Sequence, residues 1–164
     1  MANTTWYAGQ RLTADALNDM WPSSVQATTA SFSVPTAPSA YTAVPFTAAA
    51  PIYPSTMWLI GAPTRLVAPT EGTYVVHGGI TWPGTLSTAD ARGEIRFNGS
   101  GTAVTTARVQ TQRGSTGGMG ATMSGTVIFT AAAQYIELYV NQNSGVSVVI
   151  TAAFGMTRIS YATT

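Results

Sequence analysis

The chain has 164 residues, enough for one domain with one core, and it is 45% hydrophobic but only 8% charged, against about 25% in an ordinary soluble protein. Its formal net charge is +1 and its seven arginines are scattered, which gives no basic patch for nucleic acid. It has no cysteine, which excludes disulfides and thiolate metal sites, and its 27 Thr and 25 Ala indicate a surface of hydroxyl groups and backbone.

Residues 1–22 form the only segment with a helical pattern. Thr13 can cap one or two turns, Leu12 and Leu17 stand at hydrophobic-staple spacing, and Pro22 ends the run. So short a helix is unstable alone, and it must dock on something. We therefore predict an N-terminal anchoring arm that contacts a larger particle through its apolar residues. These residues are Trp6, Tyr7, Leu12, Leu17 and Trp21.

The N-terminus lacks the basic start and apolar stretch of a secretory signal, and no apolar run approaches the ~20 residues of a membrane-spanning helix. We expect a protein made in a cytoplasm, with no membrane partner. Residues 23–164 are predicted to form the single folded domain. In residues 23–64 the alternation "VQATTASFSV" indicates a strand, and six prolines between Pro35 and Pro63 indicate edge strands and long surface connections.

From Arg65 onward, eight strand-length segments recur at roughly ten-residue spacing with turn residues between them. They read TRLVA, TYVVHGGITW, ARGEIRFNG, TAVTTARVQ, ATMSGTVIFT, QYIELYVNQ, VSVVITAAF and MTRISYA. With no helix between them, they predict an all-β antiparallel sandwich or barrel. Alternation predicts the core residues. They are Tyr74, Val76, Ile80, Trp82, Ile95, Phe97, Ile136, Leu138 and Val140.

The lone histidine, His77, has the opposite parity from Tyr74, Val76 and Ile80 and is predicted to face outward. Catalysis would need a nucleophile or carboxylate beside it, and the nearest acids in sequence, Glu71 and Asp90, lie in predicted turns. A surface or interface role is therefore the preferred interpretation. The other acids show no spacing typical of a glycosidase pair, and they favour solvated or Arg-paired roles. We expect no enzyme activity, cofactor or metal.

Two glycine-containing segments have simple structural interpretations. The stretch "QRGSTGGMGATMSG" (112–125) lacks the lysine of a phosphate-binding loop and is predicted to be an apical loop, with receptor contact as its functional alternative. "NGS" (98–100) matches a glycosylation acceptor, but Asn-Gly between alternating strands is first a hairpin turn.

The segment "YIELYV" bears on assembly. If Ile136, Leu138 and Val140 fill the core, then Tyr135, Glu137 and Tyr139 face outward, and neighbouring exposed tyrosines are enriched at interfaces. We predict that these three residues lie at a subunit interface. Scattered surface tyrosines are the alternative.

Three segments carry a family resemblance. "EGTYVVHGGITW" (71–82), the hairpin "IRFNGSG" (95–101) and the block "FTAAAQYIELYVNQNSGVSVVITAAFGMTRIS" (129–160) together resemble the jelly roll of the tumour necrosis factor and complement globular-head superfamily. The resemblance covers about residues 25–162, and Gln134 stands where that family usually has an acidic residue. It implies an antiparallel jelly roll and a tight homotrimer with aromatic residues against the three-fold axis.

The opening "WYAGQRLTADALNDMWP" resembles the start of tail and head appendage proteins in phages of actinobacteria. Together these features predict a virion structural protein, a trimeric knob attached through its arm to the major capsid protein or to tail proteins. Capsid decoration is the first choice, because the chain has no shaft repeat or heptads. A tail-tip or receptor-binding knob is the runner-up, and a carbohydrate-binding module or glycan hydrolase acting on host surface glycan is a third hypothesis.

Overall fold

The computed structural model describes residues 23–36, 40–84, 86, 90–99, 103–112 and 119–160, and only the backbone of residues 51–53, 90, 103–112 and 119. The predicted helix and the anchoring residues Trp6, Tyr7, Leu12, Leu17 and Trp21 lie outside the described residues. The boundary between arm and domain stays a prediction. Within the described ranges, no helix is long and apolar enough to cross a membrane.

The described chain is built almost entirely of strands, with one short 3₁₀ turn at Ser55–Met57. The strands are β1 (Ser24–Val34), β2 (Thr42–Ala43), β3 (Ala48–Tyr53), β4 (Arg65–Val67), β5 (Gly72–Trp82), β6 (Asp90–Phe97), β7 (Ala103–Gln112), β8 (Met119–Phe129), β9 (Tyr135–Gln142) and β10 (Val148–Ser160).

The strands form two antiparallel sheets. Sheet A has the order β3-β1-β10-β5-β8, and sheet B has the order β2-β9-β6-β7, with β4 also pairing with β9. The register of sheet A can be followed across three strands at His77. This residue of β5 is opposite Gly155 of β10 on one side and Ser124 of β8 on the other. This register places the outward side chains of sheet A in straight cross-strand rows.

The core lies between the sheets and follows the predicted alternation. Along β5 every second residue is buried, as period-two patterning requires of a strand with one covered face. The Tyr74 and Phe129 rings meet edge-on with centroids 4.9 Å apart, and the Phe46 and Phe154 rings stack at 5.6 Å. All the predicted core residues are buried except Phe97, which is half-buried and packs against the core.

Three sequence predictions about strands are corrected. The segments VSVVITAAF and MTRISYA are one strand, β10, because Gly155 continues the extended ladder instead of breaking it. The strand predicted at "VQATTASFSV" exists as β1, but it is not an edge strand, since β3 and β10 flank it. The second half of the glycine-rich stretch is not loop, because residues 119–125 belong to β8.

The Asn-Gly turn is confirmed. Asn98 and Gly99 have φ of 50° and 63°, the left-handed values that favour this dipeptide. The Asn98 backbone N–H donates to the Tyr135 carbonyl (2.8 Å), and the Asn98 side chain accepts from the Tyr135 N–H (2.9 Å). The turn is thereby fixed against the start of β9, and it positions the first of the predicted interface tyrosines.

Candidate functional site

The outward side chains of β1, β10, β5 and β8 form the surface that we call the sheet A face. Its central rows are Ser24–Thr157–Val75–Thr126, Gln26–Gly155–His77–Ser124, Thr28–Ala153–Gly79–Thr122 and Thr151–Thr81–Gly120. Among the described residues of this face there is no Asp, Glu, Lys or Arg. Hydroxyls, glycines and alanines alternate with buried residues because a period of two sends each alternate residue outward.

Exposed aliphatic side chains border this face at both ends. Ile128 of β8 and Ile159 of β10 are 65% and 59% exposed at one end, and Val149 of β10 is 54% exposed toward the other. Between them, Gly79 and Gly120 have open space where a side chain would stand, which leaves a shallow depression of about 270 Å³ with threonine hydroxyls around it. The sheet A face is thus flat, uncharged and partly apolar.

His77 lies in the middle of the sheet A face, and its predicted outward orientation is confirmed. The imidazole lies against Gly155, where any side chain would overlap the ring, so this position requires a glycine while His77 is in place. Ser124 is directly opposite on β8. No carboxylate of the described residues shares this face, so a serine–histidine pair here lacks the third group that orients a catalytic histidine.

The outward side of β9, with its neighbours on β4 and β6, forms a second surface that we call the sheet B face. Glu137 points outward by parity, as predicted, yet it is only 4% exposed. Its carboxylate accepts from Thr64 Oγ1 (2.6 Å), Arg65 Nε (3.4 Å) and Tyr139 OH (3.1 Å). Burial is tolerated because each carboxylate oxygen has a donor.

Arginines cover the tyrosines of the sheet B face. The Arg65 guanidinium lies 4.2 Å from the Tyr135 ring centroid, and Arg96 lies between the rings of Tyr139 (4.3 Å) and Tyr41 (4.7 Å). Tyr135 and Tyr139 are consequently half-buried within one chain. The interface predicted at Tyr135, Glu137 and Tyr139 itself stays a prediction.

Electrostatics reinforce the closure of the sheet B face. Arg96 Nε donates to Glu94 Oε1 at 2.5 Å, and both side chains are largely buried. Burial raises the pKa of Tyr139, with the Glu137 charge and hydrogen bond acting in the same direction. The predicted pairing of acids with arginines is confirmed for Glu94 and Glu137.

Other candidate residues give no assembled reaction centre. Within the described ranges, no three His, Cys, Asp or Glu side chains gather as a group able to hold a metal ion. Of the tryptophans in the described ranges, Trp82 is buried in the core, and Trp58 is half-buried with its Nε1 donating to the Pro63 carbonyl (3.3 Å). Trp6 and Trp21 lie outside the described residues.

Sequence reasoning missed the sheet A face. Its signal was present as alternate small and hydroxyl residues on four strands, but only the register reveals that these strands are adjacent. It also missed the role of Thr64, Arg65 and Arg96 in covering β9, because no local pattern links residues so distant along the chain.

No protein-family model matches the chain, and no curated protein sequence matches it. The structure is similar to the globular domain of zebrafish complement 1qA protein, with a TM-score of 0.61 and 7% identity, covering 85% of this chain and 99% of that one. It is also similar to Eiger TNF from S. frugiperda, with a TM-score of 0.54 and 10% identity, covering 87% and 94%. At these identities the likeness shows the fold alone, and the predicted all-β antiparallel jelly roll is confirmed.

Proposed function

We propose that this protein is a non-enzymatic structural knob that assembles as a homotrimer through the sheet A face. The proposal rests on the absence of charge from the described residues of that face, together with its exposed aliphatic residues Val75, Ile128, Val149 and Ile159. The jelly-roll likeness supports the trimer, since trimeric assembly is what the superfamily resemblance implies.

Desolvation favours the sheet A face over the sheet B face as the surface that a second copy covers. Uncharged hydroxyl, glycine and aliphatic groups lose little on leaving water, whereas an ion pair that leaves water loses much of its hydration. On the sheet B face the exposed Arg65 and the half-buried Arg96 already bind acids and tyrosines of their own chain. We therefore place the proposed interface on sheet A in preference to Tyr135, Glu137 and Tyr139.

The proposed location is a phage particle, with capsid decoration as the role. Support comes from the N-terminal pattern and from a composition that suits packing rather than chemistry. Three arms on one trimer would each bury aromatic surface against the particle, and linked weak contacts combine into strong attachment. The proposed partner is the major capsid protein, with tail proteins as the alternative.

A receptor-binding knob at the tail tip is the second candidate, and one observation favours it. Leu59 and Ile60 are exposed on a turn that is closed by the Ala62 N–H donating to the Leu59 carbonyl (2.9 Å). Ile60 is 84% exposed. A rigid apolar turn of this kind suits contact with another surface.

Two measurements test the proposed function. Sedimentation of the purified protein should give three times 17.0 kDa, and a folded monomer at micromolar concentration would contradict the trimer. Deleting residues 1–20 should leave a folded trimer that no longer joins the particle, whereas full occupancy by the truncated protein would contradict arm attachment. Copy number per virion then separates decoration, which needs many copies, from a tail tip, which needs few.

A further inference from the structure

The only histidine of the chain lies at the centre of an uncharged face. His77 is on β5, and no other residue of the sequence is a histidine. Histidine is the side chain whose ordinary pKa falls between pH 5 and 8, so His77 is the residue of this face to test in mild acid.

The described residues around His77 offer no charged partner for an imidazolium. On β10 the facing residues are Gly155, Ala153 and Thr157. On β8 they are Ser124, Thr122 and Thr126, and across Gly155 on β1 is Gln26. None of these groups is charged or titrates in this pH range. The imidazole lies over Gly155, which has no side chain, and a second copy packed on this face would cover the ring.

We infer that protonation of His77 makes the assembly of this protein dependent on pH, with trimers stable at neutral pH and released in mild acid. This inference rests on the proposed function, since it requires subunits to meet through the sheet A face. Covering a neutral imidazole takes an uncharged group out of water, whereas covering an imidazolium buries a charge without a partner.

The sign of the effect follows from linkage. Assembly favours the neutral ring, so the stabilisation is full above the ordinary titration range of histidine and is lost as pH falls through it. Each of the three subunits carries one His77, so the loss is repeated three times per trimer.

The experiment is sedimentation of the full-length chain over a range of concentrations at pH 7.5 and pH 5.5, with the wild type beside His77→Gln. Glutamine is polar and uncharged at both pH values. We expect the wild type to dissociate at pH 5.5 at concentrations where it is trimeric at pH 7.5, and His77→Gln to behave alike at both. The inference would be overturned if the wild type associated equally at both pH values, or if His77→Gln lost as much association at pH 5.5 as the wild type. Neither result would contradict the proposed trimer itself.

A second measurement needs no variant. The single imidazole gives one set of ring proton signals in NMR spectra, and in the assembled protein these signals should keep their neutral positions until the trimer dissociates. Free titration of the signals within an intact trimer would overturn the inference. A monomer at pH 7.5 would instead contradict the proposed function, and the inference with it.

Discussion

The two outer faces of the sandwich share the same alternating strand geometry but differ in what their outward side chains contact. On the sheet B face, the outward residues Glu137 and Tyr139 are tied down by Thr64, Arg65 and Arg96 of the same chain. On the sheet A face, the described outward residues carry no charge, and glycine, alanine and hydroxyl residues predominate among them. Charged groups paired within one chain stabilise the fold, whereas an uncharged face can be covered by a second copy at little desolvation cost, as the proposed trimer requires.

Placing a charge on the sheet A face should have the largest effect, on the affinity between subunits. Thr126→Arg on β8 introduces an unpaired cation where subunits are proposed to meet, three times per trimer. We expect the affinity between subunits to fall by at least about 100-fold, with thermal unfolding of the separated chain little changed. Sedimentation against concentration measures this loss.

The matched control is Ala132→Arg, which adds the same charge on the exposed turn between β8 and β9. It should leave association unchanged. Equal association by both variants would show that the sheet A face is not covered by a second copy.

Removing the Glu137 carboxylate from the sheet B face should lower the stability of the fold. Glu137→Ala leaves the hydroxyls of Thr64 and Tyr139 without their acceptor, and we expect the free energy of unfolding to fall by about 2–3 kcal/mol. Thr122→Ala on the sheet A face should change it by less than about 0.5 kcal/mol. Urea unfolding of both variants at one protein concentration makes the comparison, and similar losses would remove the distinction between the faces.

On the sheet B face, Arg65 and Arg96 should differ in how much they stabilise the fold. Arg96 is largely buried between two tyrosine rings and bonds Glu94, so Arg96→Lys loses planar stacking and should destabilise the fold by about 1–2 kcal/mol. The Arg65 side chain is 46% exposed, and Arg65→Lys should change stability by less than about 0.5 kcal/mol. Equal changes in thermal unfolding would contradict the expected difference between the buried Arg96 and the exposed Arg65.

The smallest expected effect concerns the Tyr139 hydroxyl. Tyr139→Phe removes one hydrogen bond to Glu137, and we expect a loss of about 0.5–1.5 kcal/mol near neutral pH. Because the pKa of Tyr139 is raised by burial, the folded state holds the hydroxyl neutral where the unfolded chain ionises, near pH 10. The stabilisation is full below that pH and is lost as pH rises through the raised pKa. The wild-type advantage should therefore shrink above pH 10, and a constant difference in unfolding free energy would contradict this.

Local pattern predicted what depends on local geometry. The alternation through Tyr74, Val76 and Ile80 fixed both the buried side of β5 and the outward direction of His77, because each follows from a period of two. The same parity predicted that Glu137 points outward. It could not predict that Glu137 is buried, because Thr64 and Arg65 reach it from more than 70 residues away in sequence. The strand boundary predicted at Gly155 was wrong. The His77 ring that occupies the place of its missing side chain belongs to β5, so the residues around Gly155 do not reveal why a glycine stands there.

The position of β10 affects how the chain folds. β10 is the last strand of the described chain, yet it lies at the centre of sheet A between β1 and β5, and Ser24 meets Thr157 across 133 residues of sequence. Until β10 is synthesised, β1 and β5 each keep an unpaired edge toward it, and contacts so distant in sequence form slowly. A nascent chain therefore cannot form the finished sheet A face before β10 has emerged from the ribosome, and the proposed contact between copies must wait for that strand.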